Sequence, residues 1–213
     1  MGYVVIYGAG HFGRGLIDLF LDEGWQVCVI DGNENVCYEI TEIYGIRSIY
    51  GEAIDPEILD EAEIYKADIF VAATPRDERN ILAGFLAREK GVKKIVVRVS
   101  NESYKKIVEK SGFIYTFPEE IGAKETFWTI VHPNIKNIKK FSDFYLCEIE
   151  ADKNLLIIGK KFEDIEDKNV KIIYYSEENV LKEYKPNEII REGMRLYILT
   201  TKDPLKIVQN WQI

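Results

Sequence analysis

"VVIYGAGHFGRGLIDLF", residues 4–20, runs from an apolar stretch through three glycines into a helical pattern. "YVVIY" (3–7) reads as a buried strand. "RGLIDLFLDEG" (14–24) reads as a helix with Leu16, Ile17, Leu19, Phe20 and Leu21 on its apolar side and Gly24 as its stop. Gly8, Gly10 and Gly13 therefore sit in a strand–turn–helix, spaced as Gly-x-Gly-x-x-Gly. Each glycine does something different in that context. Gly8 allows the tight turn, Gly10 removes a Cβ that would block a pyrophosphate, and Gly13 lets the helix approach the strand. The unpaired N–H groups of the helix then face the phosphate with a partial positive charge. His11 and Phe12 belong to the same turn, and both count as binding residues. His11 offers its backbone N–H, and its ring reaches a terminal phosphate. Arg14 opens the helix, where it either touches a phosphate or is simply solvated.

Beyond this stretch, the same alternation repeats as far as residue 118. "WQVCVID" (25–31), "IRSIYGE" (46–52), "DIFVAAT" (68–74), "KKIVVRVS" (93–100) and "FIYTFP" (113–118) read as strands two to six. "NENVCYEITEIYG" (33–45), "DPEILDEAEIYKA" (55–67), "RDERNILAGFLAREKG" (76–91) and "NESYKKIVEKSG" (101–112) read as the helices between them. Strands separated by helices imply parallel crossovers. Six of them behind a glycine-rich first turn predict a Rossmann-like doubly wound sheet in the order 3-2-1-4-5-6. Asp31 closes strand two. A carboxylate there accepts hydrogen bonds from ribose hydroxyls and repels a 2′-phosphate, so NAD(H) or an adenine nucleotide (ATP, ADP or AMP) is expected rather than NADP.

Residues 119–140, "EEIGAKETFWTIVHPNIKNIKK", read as an amphipathic helix bearing Phe127, Trp128, Ile130 and Val131 and interrupted by Pro133 after His132. Such a helix either packs sideways on the first domain or serves a partner chain. From Phe141 the texture becomes β-rich, with "FYLCEIEA" (144–151), "KIIYYSE" (171–177) and "RLYILTT" (195–201) as strands. "GKKFEDIED" (159–167) reads as a short helix, "KPNEIIREGM" (185–194) as turns, and "DPLKIVQNW" (203–211) as a last helix. The predicted organisation is a nucleotide-binding domain over 1–118, a crossover segment over 119–140 and a small α+β module over 141–213.

Composition narrows the function classes. The chain has 213 residues, 46% of them hydrophobic, with 28 Lys and Arg against 36 Asp and Glu, a net charge of −8. That excess of acid argues against non-specific nucleic-acid binding, which needs basic patches to neutralise phosphates. Cys28, Cys37 and Cys147 show no Cys-x-x-Cys spacing. Neither a disulfide framework nor a zinc site is indicated, and a reducing cytoplasm fits. No secretory signal is read at the start, and no apolar run reaches the ~20 residues of a membrane helix.

These motifs together resemble the RCK (regulator of potassium conductance) family, also called the TrkA or KTN family, over nearly the whole chain. The family pattern of a glycine loop, an acid after strand two, a "GDat" turn, an "ad.viaatddd..N" stretch and a "Pe…a" segment reads here as "GAGHFG", "VCVIDGN", "GEAIDPEIL", "ADIFVAATPRDERNIL" and "FPEEIGA". The tail, with "NLLIIGKKFEDI" and "IIREGMRLYIL", is similar to the family's C-terminal module. Glu52 stands where the family has Asp, Pro75 and Arg76 replace acids, and Met194 replaces the Asp of a "gD" turn. The resemblance implies a cytoplasmic regulatory subunit or gating-ring domain for an integral-membrane potassium channel or transporter. It would assemble as a homodimer or an octameric ring. The resemblance also implies the nucleotide contacts: the Gly8–Gly13 loop, Asp31 and Asn33 near the ribose, Glu52 and Ala53 near the adenine, and Thr74 after strand four. Arg98 would face the phosphates or a neighbouring subunit, and the helix of 119–131 would be the inter-subunit crossover.

The rival class is an NAD-dependent oxidoreductase. Hydride transfer needs a placed acid or base beside the nicotinamide. No His follows residue 140, and His132 has no partnered motif. A non-enzymatic sensor is therefore expected. A third reading, the soluble part of a longer channel chain, stays open on the sequence.

Overall fold

The computed structural model describes residues 2–178 and 180–211. The chain divides into two compact units, Met1–Gly122 and Ala123–Ile213. In the first, β1 (Tyr3–Tyr7), β2 (Gln26–Asp31), β3 (Arg47–Tyr50), β4 (Ile69–Ala72), β5 (Lys94–Arg98) and β6 (Ile114–Thr116) form one sheet in the order β3-β2-β1-β4-β5-β6. Every pair in it is parallel. The crossovers are α1 (His11–Asp22), α2 (Glu34–Tyr44), α3 (Pro56–Glu61), α4 (Asp77–Glu89) and α5 (Lys105–Ser111), and α6 (Pro118–Val131) follows β6. This is the doubly wound order expected from the sequence.

The central strands are apolar on both faces because helices cover both. Val4, Val5 and Ile6 of β1 are fully buried, and successive residues feed opposite clusters. Val5, Cys28, Ile30 and Phe70 join one layer, and Val4, Ile6, Val29 and Val71 the other. Local chemistry marks the helix ends. Asn33 caps α2 by accepting from the Asn35 N–H at 3.0 Å, and Asp55 caps α3 by accepting from the Glu57 N–H at 2.9 Å, ahead of Pro56 at the first turn. α1 starts differently: its N-cap is Gly10, and no side chain caps it.

The second unit contains β7 (Ile135–Lys140), β8 (Tyr145–Glu150), β9 (Val170–Glu177), β10 (Val180–Glu183) and β11 (Arg195–Thr200) in an antiparallel sheet ordered β10-β9-β11-β8-β7. α7 (Phe162–Ile165) and α8 (Pro204–Trp211) accompany it. Its core gathers Ile149, Leu155, Ile157, Phe162, Met194, Leu196 and Ile198, and the Phe162 ring meets Tyr175 edge-on at 5.0 Å.

One expectation is corrected. The stretch 119–140 is not a single interrupted helix: α6 ends at Val131, and residues 135–140 form β7, which pairs antiparallel with β8. Proline disfavours helical backbone in the residue before it, so Pro133 ends the helix rather than bending it. The strand was hidden because its register shifts between Ile135 and Asn137, which breaks the two-residue alternation. β10, also unexpected from the sequence, is a short edge strand paired with β9. No residue of α6 is buried, and Ile121, Phe127, Ile130 and Val131 are all exposed.

The two glycines of α1 separate packing from propensity. A Cβ on Gly13 would collide with the Gly8 carbonyl oxygen, whereas a Cβ on Gly15 would meet nothing within 4 Å. Gly13→Ala is expected to destabilise the protein by about 1–3 kcal/mol through overpacking. Gly15→Ala, at an exposed helical position, is expected to stabilise it by about 0.5–1 kcal/mol. Urea denaturation of the two variants beside the parent protein measures both signs.

Candidate functional site

Where the strand order reverses, between β1 and β4, the carboxyl ends of the strands border a cleft of about 510 Å³. Ligand crevices of open α/β sheets lie at this point because adjacent crossovers there leave on opposite faces. Its floor is the turn after β1. Gly8 has φ +99°, which side chains rarely adopt, and a Cβ on it would lie 2.9 Å from the Thr74 N–H nitrogen. Gly10 differs: it lines the cleft, and a Cβ there would meet no protein atom within 4 Å.

Asp31, at the end of β2, fixes that turn. One carboxylate oxygen accepts from the Ala9 N–H at 2.7 Å and the other from the Asn33 N–H at 2.9 Å. Each oxygen has a second lone pair, so the group holds the glycine turn and still presents acceptor capacity to the cleft. The Asn33 side chain is committed to capping α2.

The opposite wall is built from buried polar side chains. Asn80 of α4 is 0% exposed. Its Oδ1 accepts from the Thr74 N–H at 3.1 Å and pairs with the Thr74 hydroxyl at 2.6 Å. Its Nδ2 donates to the carbonyls of Thr74 at 2.8 Å and Arg98 at 2.9 Å. One amide thus ties the end of β4 to the end of β5. Asp77, also buried, accepts from the backbone N–H groups of Ser100 and Asn101, joining the start of α4 to the loop after β5. Buried polar groups satisfied this fully lock a loop in one geometry.

At the mouth, Glu52 accepts from the Tyr7 hydroxyl through one oxygen and from the Arg79 guanidinium through the other. Burial, then the hydrogen bond to Glu52, pushes the Tyr7 phenol above its ordinary range. Partial burial works against ionisation of Glu52, but the Tyr7 and Arg79 hydrogen bonds prevail and hold its carboxyl below the usual range. Arg98 donates to the Ala73 carbonyl at 3.4 Å and to Glu119 of α6, lies 5.9 Å over the Phe12 ring, and leaves its buried Nε without a partner.

Of the residues singled out from the sequence, Gly8, Gly10, Asp31, Asn33, Glu52, Thr74 and Arg98 line this cleft together. Gly13 is buried between α1 and β1, Phe12 packs beside Arg98, and His11 is exposed and lies outside the cleft lining. Ala53 is 0% exposed in the core beneath β3 and does not line the cleft. Arg14 does not line the cleft either. Its Nε donates to the Ala9 carbonyl at 3.1 Å and its Nη2 pairs with Glu39 of α2 at 2.6 Å. Sequence reasoning missed Tyr7, Arg76 and Arg79 as lining residues. Arg76 carries a signal after the fact, a cation just past strand four where the family pattern has an acid. Among the described residues no group of three or more His, Cys, Asp or Glu side chains is placed to hold a metal ion.

Residues 4–117 match the TrkA-N domain family. A Trk system potassium uptake protein TrkA homolog from Methanothermobacter thermautotrophicus is 29% identical over 209 residues, covering 96% of each chain. Among solved structures, the GsuK channel superposes with a TM-score of 0.70 at 17% identity, over 99% of this chain and 39% of that one. The GsuK channel bound to NAD superposes with a TM-score of 0.67, also at 17% identity, over 99% of this chain and 39% of that one. Likeness at such low identity speaks to the fold alone. The family match spans more than half of the sequence and coincides with the sheet that frames the cleft, and the chain belongs to the TrkA-N domain family.

Proposed function

We propose that this chain is a cytoplasmic ligand-sensing regulator of potassium transport. It binds NAD(H) or an adenine nucleotide in the cleft of its first unit and passes a conformational change to an integral-membrane channel or transporter. Gly10 is the observation that carries this reading. Nothing within the protein requires a glycine there, since a Cβ would meet no protein atom, yet the residue forms the uncapped N-terminus of α1 and borders the cleft. A bare turn whose helix amides lack a side-chain cap suits a phosphate. Asp31 then accepts from the ribose, and Arg98, with its unpartnered Nε, stands across the cleft. Membership of the TrkA-N family, the potassium-uptake name of the full-length relative and the NAD in a neighbour of the same fold all support the same assignment.

Residues 1–118 carry the ligand, α6 transmits, and the small module includes β7 with the rest of the second sheet. The exposed apolar side chains of α6 suit contact with a second copy of the chain in a homodimer or an octameric ring. No helix among the described residues is long and apolar enough to cross a membrane. Regulation follows from linkage: a ligand shifts the conformational equilibrium only by its difference in affinity for the two shapes. The protein acts by binding and not by catalysis. In the cleft Tyr7 is hydrogen-bonded to Glu52, and Glu52 is ion-paired to Arg79.

Calorimetric titration with NAD, NADH, AMP, ADP and ATP tests the assignment, and no binding by any of them would overturn it. Asp31→Ala is expected to lower nucleotide affinity by at least about tenfold, roughly 1.4 kcal/mol. It is also expected to cost about 1–3 kcal/mol of stability by stranding the Ala9 and Asn33 N–H groups. Unchanged affinity in a folded Asp31→Ala protein would remove Asp31 from the site.

A further inference from the structure

The cleft is divided electrically along the line where the strand order reverses. Its two acids, Asp31 and Glu52, follow β2 and β3, on one side of β1. Its three guanidiniums, Arg76, Arg79 and Arg98, follow β4 and β5, on the other. The Arg79–Glu52 ion pair crosses the divide and ties α4 to the loop after β3 across the cleft. The two side chains are 33% and 39% exposed. An ion pair this wet contributes about 0–1 kcal/mol, so it is cheap to exchange for a stronger partner. A phosphate is such a partner, because it carries more charge and accepts the guanidinium fork bidentately.

A nucleotide with its ribose at Asp31 and its first phosphate at the glycine turn has one direction left to extend, towards the β4 side. A second or third phosphate would enter there among Arg76, Arg79 and Arg98. A dinucleotide would instead place a second ribose and a nicotinamide ring among the same three cations, and in the oxidised form that ring is itself cationic. We propose that the cleft selects a nucleoside di- or triphosphate over the monophosphate and over a dinucleotide. Arg79 is the selecting residue, leaving Glu52 for a phosphate beyond the one seated at the glycine turn. The proposal rests on the nucleotide-binding reading and narrows it to a ligand class. It also supplies a structural difference between free and bound states, since the tether across the cleft is present in one and released in the other.

Calorimetry with AMP, ADP, ATP and NAD on the whole protein, in EDTA so that no metal shields the phosphates, tests this. The parent protein is expected to bind ADP and ATP at least about tenfold tighter than AMP or NAD. Arg79→Gln is expected to collapse the ADP-to-AMP affinity ratio towards one, Arg79→Lys to restore part of it, and Glu52→Gln, which frees the guanidinium, to raise it. A thermal melt of each variant shows that it is folded. Equal affinities for AMP and ADP in the parent protein, or an unchanged ratio in folded Arg79→Gln, would overturn the selection while leaving nucleotide binding intact. A parent protein that binds none of the four would overturn both readings.

Discussion

The first unit depends on how closely α1 can approach β1. The helix packs with Gly13 against the Gly8 carbonyl, a distance at which any Cβ would clash. That contact sets the angle at which α1 leaves the sheet, and therefore the direction in which its uncapped amides point. Gly8, at φ +99°, makes the turn that permits the approach. Asp31 holds it from the neighbouring strand, and the Gly8 N–H donates to the Ile30 carbonyl at 2.8 Å. The floor of the cleft is thus bare backbone packed closely on bare backbone.

The other wall reaches comparable rigidity by a different route. No glycine cluster organises the ends of β4 and β5. Asn80 and Asp77 do so by satisfying backbone groups of Thr74, Arg98, Ser100 and Asn101 from inside the protein. The two walls thus differ in kind, backbone against backbone on one side and buried side chains on the other. At the mouth the half-exposed Arg79–Glu52 pair bridges them. A cleft with stiff walls and a yielding bridge is suited to report whether it is occupied.

Much of the fold was legible because its signals are local. Alternating apolar strands and amphipathic helices with glycine stops at Gly24, Gly45, Gly91 and Gly112 pointed to the doubly wound order, and all four of those glycines adopt positive φ. β7 and β10 were not legible. Each is a strand at the edge of the second sheet that exists by pairing with a neighbour, and β7 carries a register shift that erases its alternation. In the cleft, the glycines, Asp31, Glu52, Thr74 and Arg98 were readable from spacing and resemblance, whereas Arg79 was not. It sits on an ordinary helical repeat, and its meaning comes from Glu52, which is 27 residues away in the chain.

The order of residues along the chain is enough to place the bare backbone. Glycine spacing after a strand dictates a turn and a helix start wherever it occurs, since the constraint is steric and spans only a few bonds. Which side chains face the resulting space is settled only when the sheet assembles. Ala53 and Glu52 are adjacent in the chain, yet one is sealed in the core and the other stands at the cleft mouth. Arg14 follows the glycine loop directly, yet it turns to Glu39, while Arg79 arrives from the far side of the sheet. Those orientations come from strand register and from charges brought together across crossovers. They are properties of the folded sheet that no single stretch of the chain contains.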